Sequence, residues 1–282
     1  MVEHRRFGNW LPHLVLLAGV IVVAFPVYLA IIASTHDNSV IANGQMPLYP
    51  GSHALDTYWN TIVSGTGKTT RQPVGGMMIA SLVMAVGIAV GKIAISIISA
   101  YAIVFFAFPF RMTAFWTIFI TLMLPVEVRI YPTYKITSDM HLLDSYSGLI
   151  LPLIASATAT LLFRQFFMTV PKELVEASKM DGAGPIRFFF DTLLPLSVTN
   201  IAALFVILFI YGWNQYLWPL LITTRDDMQT IVIGIKKMLS TTDELAEWQL
   251  AMATAVLAML PPVAVVVLMQ RLFVKGLIET EK

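Results

Sequence analysis

The longest apolar run of the chain covers residues 76–106 and reads Gly-Met-Met-Ile-Ala-Ser-Leu-Val-Met-Ala-Val-Gly-Ile-Ala-Val-Gly-Lys-Ile-Ala-Ile-Ser-Ile-Ile-Ser-Ala-Tyr-Ala-Ile-Val-Phe-Phe. Its one charged residue is Lys92. A helix needs about 20 mostly apolar residues to cross the hydrocarbon core of a bilayer. The run therefore predicts a membrane-spanning helix, and five other runs meet the same requirement. We place the six predicted spans at about residues 12–33, 76–106, 113–134, 148–168, 200–222 and 250–273.

The composition of the whole chain agrees with membrane lipid as its main solvent. Of the 282 residues, 57% are hydrophobic and 12% are charged, whereas soluble proteins carry about 25% charged residues. The formal net charge of +1 argues against a nucleic-acid partner, which requires a basic patch. Because the chain has no cysteine, disulfides, thiolate nucleophiles and cysteine metal ligands are excluded. We predict an all-α polytopic membrane protein with one transmembrane domain over residues 1–282.

The flanks of the spans predict which side of the membrane each loop faces. Lysine and arginine are more frequent in the segments that face the cytoplasm. If the N-terminus is inside, the inner segments of this chain contain more lysine and arginine than the outer segments. An even number of spans then places both termini in the cytoplasm. The run at 12–33 is too long for the apolar part of a signal peptide, so we interpret it as a retained first helix.

The inner loop after the fourth span contains an ordered polar motif. Residues 171–195 read Pro-Lys-Glu-Leu-Val-Glu-Ala-Ser-Lys-Met-Asp-Gly-Ala-Gly-Pro-Ile-Arg-Phe-Phe-Phe-Asp-Thr-Leu-Leu-Pro. Pro171 suits the first turn of a helix, and Gly182 can adopt the positive φ that ends one. A second amphipathic segment over residues 186–194 is expected to stop before Pro195. The pattern predicts two short helices joined by a glycine turn on the cytoplasmic face.

The motif Glu-Ala-Ser-x-x-Asp-Gly-Ala at residues 176–183, followed by Leu-x-Pro, resembles the EAA motif of permease subunits in binding-protein-dependent ABC importers. The resemblance covers the whole chain. Within this family the chain is similar to the MalG-like sugar permease branch, and the resemblance implies a MetI-like fold. Three further segments resemble permeases of glycerol-3-phosphate importers in particular. They are residues 123–130, 156–160 and 211–220. Ser178 departs from the alanine of the consensus, and serine is nearly as small.

The resemblance implies that the motif contacts the ATPase subunit of the importer. The residues expected to form this contact are Glu176, Ala177, Ser178, Asp181, Gly182, Ala183 and Pro195. The small side chains would let a partner approach the backbone, Gly182 would permit the bend, and the two carboxylates would pair with basic groups. The alternative is a solvated loop of the kind that every polytopic protein has.

The family resemblance also implies the partners and the cargo. This chain would form half of a translocation pathway in the bacterial inner membrane, beside a second permease subunit, a homodimeric cytosolic ATPase and a solute-binding protein. ATP and Mg²⁺ would bind the ATPase, so no cofactor is expected here. The implied cargo is sn-glycerol 3-phosphate, with glycerophosphodiesters as further candidates. A neutral sugar, polyol or oligosaccharide remains open within the family.

Two other classes of protein are less consistent with the sequence. A self-contained secondary carrier predicts inverted repeats and discontinuous helices, and the sequence shows neither. An intramembrane enzyme would need catalytic groups, and no paired catalytic carboxylates or nucleophile motif occurs.

Charged side chains at membrane depth are candidates for the substrate path because burying each of them is costly. Lys92 lies near the middle of the second predicted span, and Glu127 and Arg129 lie toward the outer end of the third. Arginine can bind phosphate oxygens in a bidentate manner. A structural ion pair or an arginine that extends to the interface is the alternative interpretation of Arg129.

The end of the fifth predicted span is aromatic and includes one amide. Trp213 and Asn214 are candidates for contacts with a polyol, and helix packing is the more common role of such residues. If the span is one continuous helix from residue 200, Trp218 reaches the outer interface and serves as an aromatic anchor.

Two remaining patterns predict no site. Residues 65–69, Gly-Thr-Gly-Lys-Thr, lack the upstream glycine of a phosphate-binding loop. His141 lies near Asp139 and Asp144, which we interpret as a solvated turn and not a metal site.

Overall fold

The computed structural model of the chain describes residues 10–64, 72–122, 124, 126–239 and 247–279. The side chains of residues 11, 121, 122, 126, 127, 271 and 273–279 lie outside this description. The described part of the chain contains fifteen α-helices and no β-strand. The prediction of an all-α protein is therefore confirmed.

In chain order the helices are α1 (Trp10–Ala33), α2 (Asn38–Ala42), α3 (Ala54–Val63), α4 (Val74–Phe105), α5 (Arg111–Leu122), α6 (Val126–Asp139), α7 (Tyr146–Ile150), α8 (Ala157–Thr169), α9 (Lys172–Met180), α10 (Pro185–Phe188), α11 (Leu194–Leu196), α12 (Val198–Trp213), α13 (Leu217–Ile222), α14 (Ile231–Leu239) and α15 (Trp248–Glu279). A 3₁₀ turn at Leu151–Leu153 follows α7, and a π-helical turn at Phe189–Leu193 joins α10 to α11.

Among the described residues, three helices are long and apolar enough to cross a membrane. They lie within α1, α4 and α15 and correspond to the first, second and sixth predicted spans. Two bent pairs correspond to the fourth and fifth: α7 with its 3₁₀ turn meets α8 at 52°, and the segment 185–196 meets α12 at 70°. The third predicted span is divided between α5 and α6. The count of six spans and the single domain stay predictions, whereas the expectation of no discontinuous helices is wrong.

Serine caps produce the break in the fourth span. Ser145 begins α7 by accepting a hydrogen bond from the Gly148 N–H at 3.0 Å. Ser156 begins α8 in the same way with the Ala159 N–H at 3.3 Å. Because an N-cap residue has extended backbone torsions, each serine starts a new helix and does not continue the preceding one.

The expected continuous helix over residues 200–222 is wrong, since α12 ends at Trp213 and α13 begins at Leu217. The Asn214 amide donates to the Ile210 carbonyl at 3.0 Å and so ends α12 with a side-chain bond. Pro219 then lies in the first turn of α13, where its missing N–H is tolerated.

This break also changes the interpretation of Trp218. Its side chain is 3% exposed and packs with Met84 and Leu149. Its indole N–H donates to the Gly148 carbonyl at 3.1 Å. The predicted interfacial anchor is therefore wrong, and Trp218 instead belongs to the protein core.

The chain divides into two compact units. The first comprises residues 1–76 and 234–260, so far as they are described. Its segment after α1 contains α2 and α3. The hydroxyl of Thr35 accepts from the Gly51 N–H at 2.7 Å, and the Trp248 N–H donates to Asn38 at 2.9 Å.

The second unit comprises residues 77–233 and 261–282, again so far as they are described, and holds both candidate sites. Small residues let its helices approach α4 at Gly87 and Gly91, whose spacing of four is typical of closely packed membrane helices. A Cβ at Gly87 would lie 2.6 Å from Ile150, and one at Gly91 would lie 2.5 Å from Ile154. The two glycines therefore permit close packing against α4.

Candidate functional site

The first candidate site is a hairpin at residues 171–196, called the coupling hairpin below. Its helix α9 begins directly after Pro171, and Gly182 follows it with a φ of +73°. The Ala183 N–H donates to the Ser178 carbonyl at 3.0 Å and closes the turn. The predicted helix and glycine turn are confirmed as local structure.

The second half of the hairpin differs from the prediction at Pro195. The helical segment passes through this proline and ends at Leu196. Pro195 follows a π-helical turn, which interrupts the regular i→i−4 hydrogen-bond ladder, and the segment accommodates there a residue that has no N–H.

The outer surface of the hairpin exposes both its polar motif residues and large apolar side chains. Glu176, Ala177, Asp181, Gly182 and Pro195 are exposed, and Ser178 and Ala183 are half-buried. Met180 is 89% exposed, Ile186 76% and Phe190 58%. Apolar surface of this kind is typical of a site that contacts a partner.

Two grooves border the small residues of the hairpin, with volumes of about 280 and 310 Å³. Ser178 and Ala183 line both of them. Arg187 and Asp191 form an ion pair of 3.1 Å at the edge of the second groove. The site therefore offers shallow concave surface around a backbone that small side chains leave accessible.

A cluster of aromatic side chains packs the hairpin against the end of α4. The Tyr101 hydroxyl donates to the Pro185 carbonyl at 2.8 Å. The Tyr101 and Phe189 ring centroids lie 5.1 Å apart, and those of Phe105 and Phe188 lie 5.5 Å apart. A displacement of the hairpin would thus be passed to α4 through packed rings. Sequence reasoning missed Tyr101 and Phe105, although the three consecutive phenylalanines at 188–190 signalled the other half of the cluster.

The second candidate site is a cavity of about 440 Å³, called the cationic cavity below. Its described lining includes Lys92, Phe119, Arg129, Ala155, Ser156, Ala157, Thr158, Leu161 and Tyr211. Lys92 comes from α4, Arg129 from α6 and Tyr211 from α12, while residues 155–158 span the break before α8 and its first two residues. The structure thus brings together two of the charged candidates that the sequence identified at separate positions.

The charged side chains in the described lining of this cavity have the same sign. The Lys92 ammonium is 3.8 Å from the centroid of the Tyr211 ring, and the side chain is 7% exposed. The positive charge of Arg129 acts on Lys92 electrostatically. Among the described side chains, no carboxylate lies within ion-pair distance of Lys92 or Arg129. Glu127 lies in α6, and its side chain falls outside the described set.

Two other sequence candidates lie apart from the described cavity lining. Trp213 is 2% exposed and stacks on Phe209, with ring centroids 5.9 Å apart. Asn214 is exposed at the end of α12 and donates to the Ile210 carbonyl. Sequence reasoning missed Tyr211 and Ser156 as cavity residues, although both lie in segments that carried the family resemblance.

Neither the glycine-rich stretch at residues 65–69 nor the acidic turn around His141 was predicted to form a site. Residues 65–69 lie outside the described residues. No group of three histidine, aspartate or glutamate side chains in the described part of the chain is placed to hold a metal. Asp144 accepts hydrogen bonds from the Thr224 N–H and hydroxyl, both at 2.6 Å, and from the Arg225 N–H at 3.0 Å. Its role in the structure is to join two loops.

These hydrogen bonds shift the titration of Asp144. Desolvation would raise its pKa, and the bonds from Thr224 and Arg225, together with the charge of Arg225, outweigh that effect and hold the pKa below 3.8. The loop connection is therefore made to an ionised carboxylate.

Comparison with known proteins identifies the family. Residues 74–279 match the family described as binding-protein-dependent transport system inner membrane component. The chain belongs to this family, and it is an inner-membrane component of an ABC importer.

Curated relatives match the chain over its full length. It is 57% identical to the sn-glycerol-3-phosphate transport system permease protein UgpE of Rhizobium meliloti (strain 1021) and 58% identical to the protein of that name in Agrobacterium fabrum. The similarly named protein of Pectobacterium atrosepticum is 54% identical. Each comparison covers 282 residues, all of this chain and all of the relative.

A solved structure shows the same fold. It is the crystal structure of a bacterial ABC transporter involved in the import of the acidic polysaccharide alginate, and one of its chains superposes with a TM-score of 0.78. The match covers 96% of this chain and 99% of that chain at 16% identity. The MetI-like permease fold that the resemblance implied is confirmed.

Proposed function

We propose that the chain is the permease subunit of an ABC importer that carries sn-glycerol 3-phosphate into the cell. The observation that carries this proposal is 54–58% identity, over the whole of both chains, to permeases named for that substrate. Glycerophosphodiesters, which share the glycerol phosphate group, are included as further cargo.

The coupling hairpin is the proposed docking site of a cytosolic ATPase. Its exposed apolar side chains, small motif residues and two grooves offer a surface for a partner, and Glu176 and Asp181 can pair with basic groups. The aromatic cluster around Tyr101 supplies a rigid connection from this surface to α4. In this proposal the ATPase binds and hydrolyses ATP with Mg²⁺, and this chain has no catalytic role.

The complete importer in this proposal contains this chain, a second permease subunit, two ATPase subunits and a solute-binding protein. Both termini and the coupling hairpin lie in the cytoplasm, in agreement with the excess of lysine and arginine in the inner segments. The loaded binding protein docks outside, ATP closes the ATPase pair and turns the permeases outward, and hydrolysis returns them to the inward state.

Uptake of labelled sn-glycerol 3-phosphate tests this proposal. The chain is expressed together with the ATPase, second permease and binding-protein subunits of the importer, in cells without another glycerol-3-phosphate transporter. We expect ATP-dependent uptake that unlabelled sn-glycerol 3-phosphate suppresses and that glycerol and neutral sugars do not. Uptake of a sugar, polyol or oligosaccharide without uptake of sn-glycerol 3-phosphate would contradict the proposal.

A further inference from the structure

The cationic cavity lies where a helix begins inside the second unit. Residues 155–158, which line it, span the break before α8 and its first turn. The first N–H groups of a helix lack partners within the helix and carry a partial positive charge. The start of α8 therefore adds a third source of positive potential to those of Lys92 and Arg129.

Among these groups, Lys92 gives the strongest argument for an anionic ligand, because its charge is buried. Its side chain is 7% exposed and faces the cavity, where the Tyr211 ring contacts the ammonium. A ring face attracts a cation but supplies no counter-charge. Burying a charge is costly unless the charge is paired, and no carboxylate among the described side chains pairs with Lys92. Within the described part of the chain, a buried ammonium is thus left without an anionic partner.

Arg129 increases this imbalance. Two like charges beside one cavity repel each other, and a bound anion would replace this repulsion with two attractions. Guanidinium, ammonium and helix N–H groups are the donors that proteins use for phosphate oxygens. The volume of about 440 Å³ lies within the range of about 300–1,000 Å³ typical of small-molecule sites.

The cavity also offers groups suited to the rest of a glycerol phosphate. Ser156 and Thr158 contribute hydroxyl-bearing residues to the lining, and Phe119 and Leu161 contribute apolar surface. The Ser156 hydroxyl already accepts the capping hydrogen bond from Ala159. Thr158 is exposed at the cavity and is the residue placed to meet a cargo hydroxyl.

From this arrangement we propose that the cationic cavity binds the phosphoryl group of the transported organophosphate, through Lys92, Arg129 and the start of α8. This inference rests on the proposed function and adds to it that this subunit itself selects phosphorylated cargo. Tyr211 is a positioning residue, which holds the Lys92 ammonium at the cavity.

Equilibrium binding of radiolabelled sn-glycerol 3-phosphate tests the inference. The complete membrane complex is placed in phosphatidylcholine nanodiscs without the binding protein. We expect Arg129→Gln and Lys92→Gln to weaken binding about ten- to a hundredfold, the worth of one hydrogen bond to a charged group. Arg129→Lys should retain part of the affinity. Lys135→Gln is the matched control, because it removes an exposed charge from the same helix α6, and it should bind like the wild type.

Competition identifies the ligand. Inorganic phosphate should compete with sn-glycerol 3-phosphate and glycerol should not. If phosphatidylglycerol nanodiscs abolish binding, a lipid headgroup occupies the cavity and the inference is wrong. Absence of wild-type binding, or wild-type affinity in both Arg129→Gln and Lys92→Gln, would also overturn it.

The uptake assay separates this inference from the proposed function. If the wild-type importer takes up no sn-glycerol 3-phosphate, the proposed function fails and the inference fails with it. If the wild type takes it up and both charge-removal variants do so equally well, only the inference fails.

Two variants test the positioning role of Tyr211. Tyr211→Phe should preserve the affinity for sn-glycerol 3-phosphate and Tyr211→Leu should lower it, because the ring and not the hydroxyl contacts Lys92.

Discussion

The coupling hairpin and the cationic cavity differ in almost every physical respect. The hairpin is exposed, carries charges of both signs and surrounds Gly182, where an added Cβ would meet nothing within 4 Å. The cavity has a buried lysine in its lining, its described charges are all positive, and the helices around it pack closely on small residues. The difference agrees with the two roles proposed above, contact with a protein partner at the hairpin and binding of a small anion in the cavity. Helix α4 belongs to both, with Lys92 at one and Tyr101 at the other.

The largest effect is expected from Gly182→Val. Valine disfavours a φ of +73° and would displace the turn, although no side chain of the chain itself blocks it. Loss of a central contact at an interface weakens binding about thirtyfold or more. We expect ATP-driven uptake to fall by a similar factor, measured as initial rate in proteoliposomes.

Gly44→Val is the matched control for that variant. Gly44 has a φ of +75° and equally open surroundings, and it lies in the first unit, away from the hairpin residues in sequence. Equal loss of uptake in both variants would show that backbone strain, and not the ATPase surface, causes the defect.

A stability effect of intermediate size is expected from Gly212→Ala. The added Cβ would lie 2.9 Å from the Ala85 Cα, which is backbone and cannot move aside as a flexible side chain can. Overpacking of this kind costs about 1–3 kcal/mol. We expect a lower midpoint of thermal unfolding for the purified complex in detergent.

Gly19→Ala provides the control, since a Cβ at Gly19 meets nothing within 4 Å. An unchanged midpoint for Gly212→Ala would contradict the close packing of α12 on α4, and with it the distinction between an open hairpin and a closely packed cavity region.

The sequence predicted some of these features because they depend on local chemistry. The positive φ of Gly182 follows from glycine at a helix end, and the close packing at Gly87 and Gly91 follows from small residues spaced four apart. The breaks before Ser156 and after Trp213 were missed, since apolar periodicity is the same for a straight span and for a broken one. The serine cap at Ser156 was the available local signal.

Two features that depend on contacts between distant parts of the chain could not be predicted from the sequence. Lys92 and Arg129 were identified separately because charge at membrane depth is conspicuous, but only the fold brings them to one cavity with Tyr211. The position of Trp218 was predicted wrongly for a related reason. The rise of a continuous helix was applied across a break, and a residue in the core was assigned to the interface.

An effect of similar size is expected from Trp218→Phe, which tests the packing of the helices that carry the cavity. The variant removes the hydrogen bond to the Gly148 carbonyl and leaves that acceptor buried, at a cost of about 1–3 kcal/mol. Chemical denaturation of the complex should show this loss. Trp59→Phe, at a side chain that is 67% exposed, should show none. Equal stability of the two variants would place Trp218 outside the core.

The smallest effect is expected from Asp144→Asn at the loop connection. The folded-state pKa of Asp144 lies below its ordinary value, because Thr224 and Arg225 donate hydrogen bonds to the ionised carboxylate. The ionised form therefore stabilises the native loops above the unfolded-state pKa, and the contribution is lost as the pH falls through the folded-state pKa. At neutral pH we expect faster hydrogen exchange of the Thr224 and Arg225 amides in the variant, after correction for intrinsic rates. Protection that is equal in both proteins at neutral pH would contradict the role assigned to this carboxylate.

The division of roles between the two regions is tested most directly by measuring two quantities on the same preparations of wild type, Gly182→Val and Arg129→Gln. The quantities are the amount of ATPase that co-purifies with the permease and the affinity of the complex for sn-glycerol 3-phosphate. The predicted result is a crossed pattern. Gly182→Val loses the ATPase and retains the affinity, and Arg129→Gln retains the ATPase and loses the affinity. Loss of both quantities in either variant, or of neither in both, would contradict the separation of ATPase docking from cargo selection.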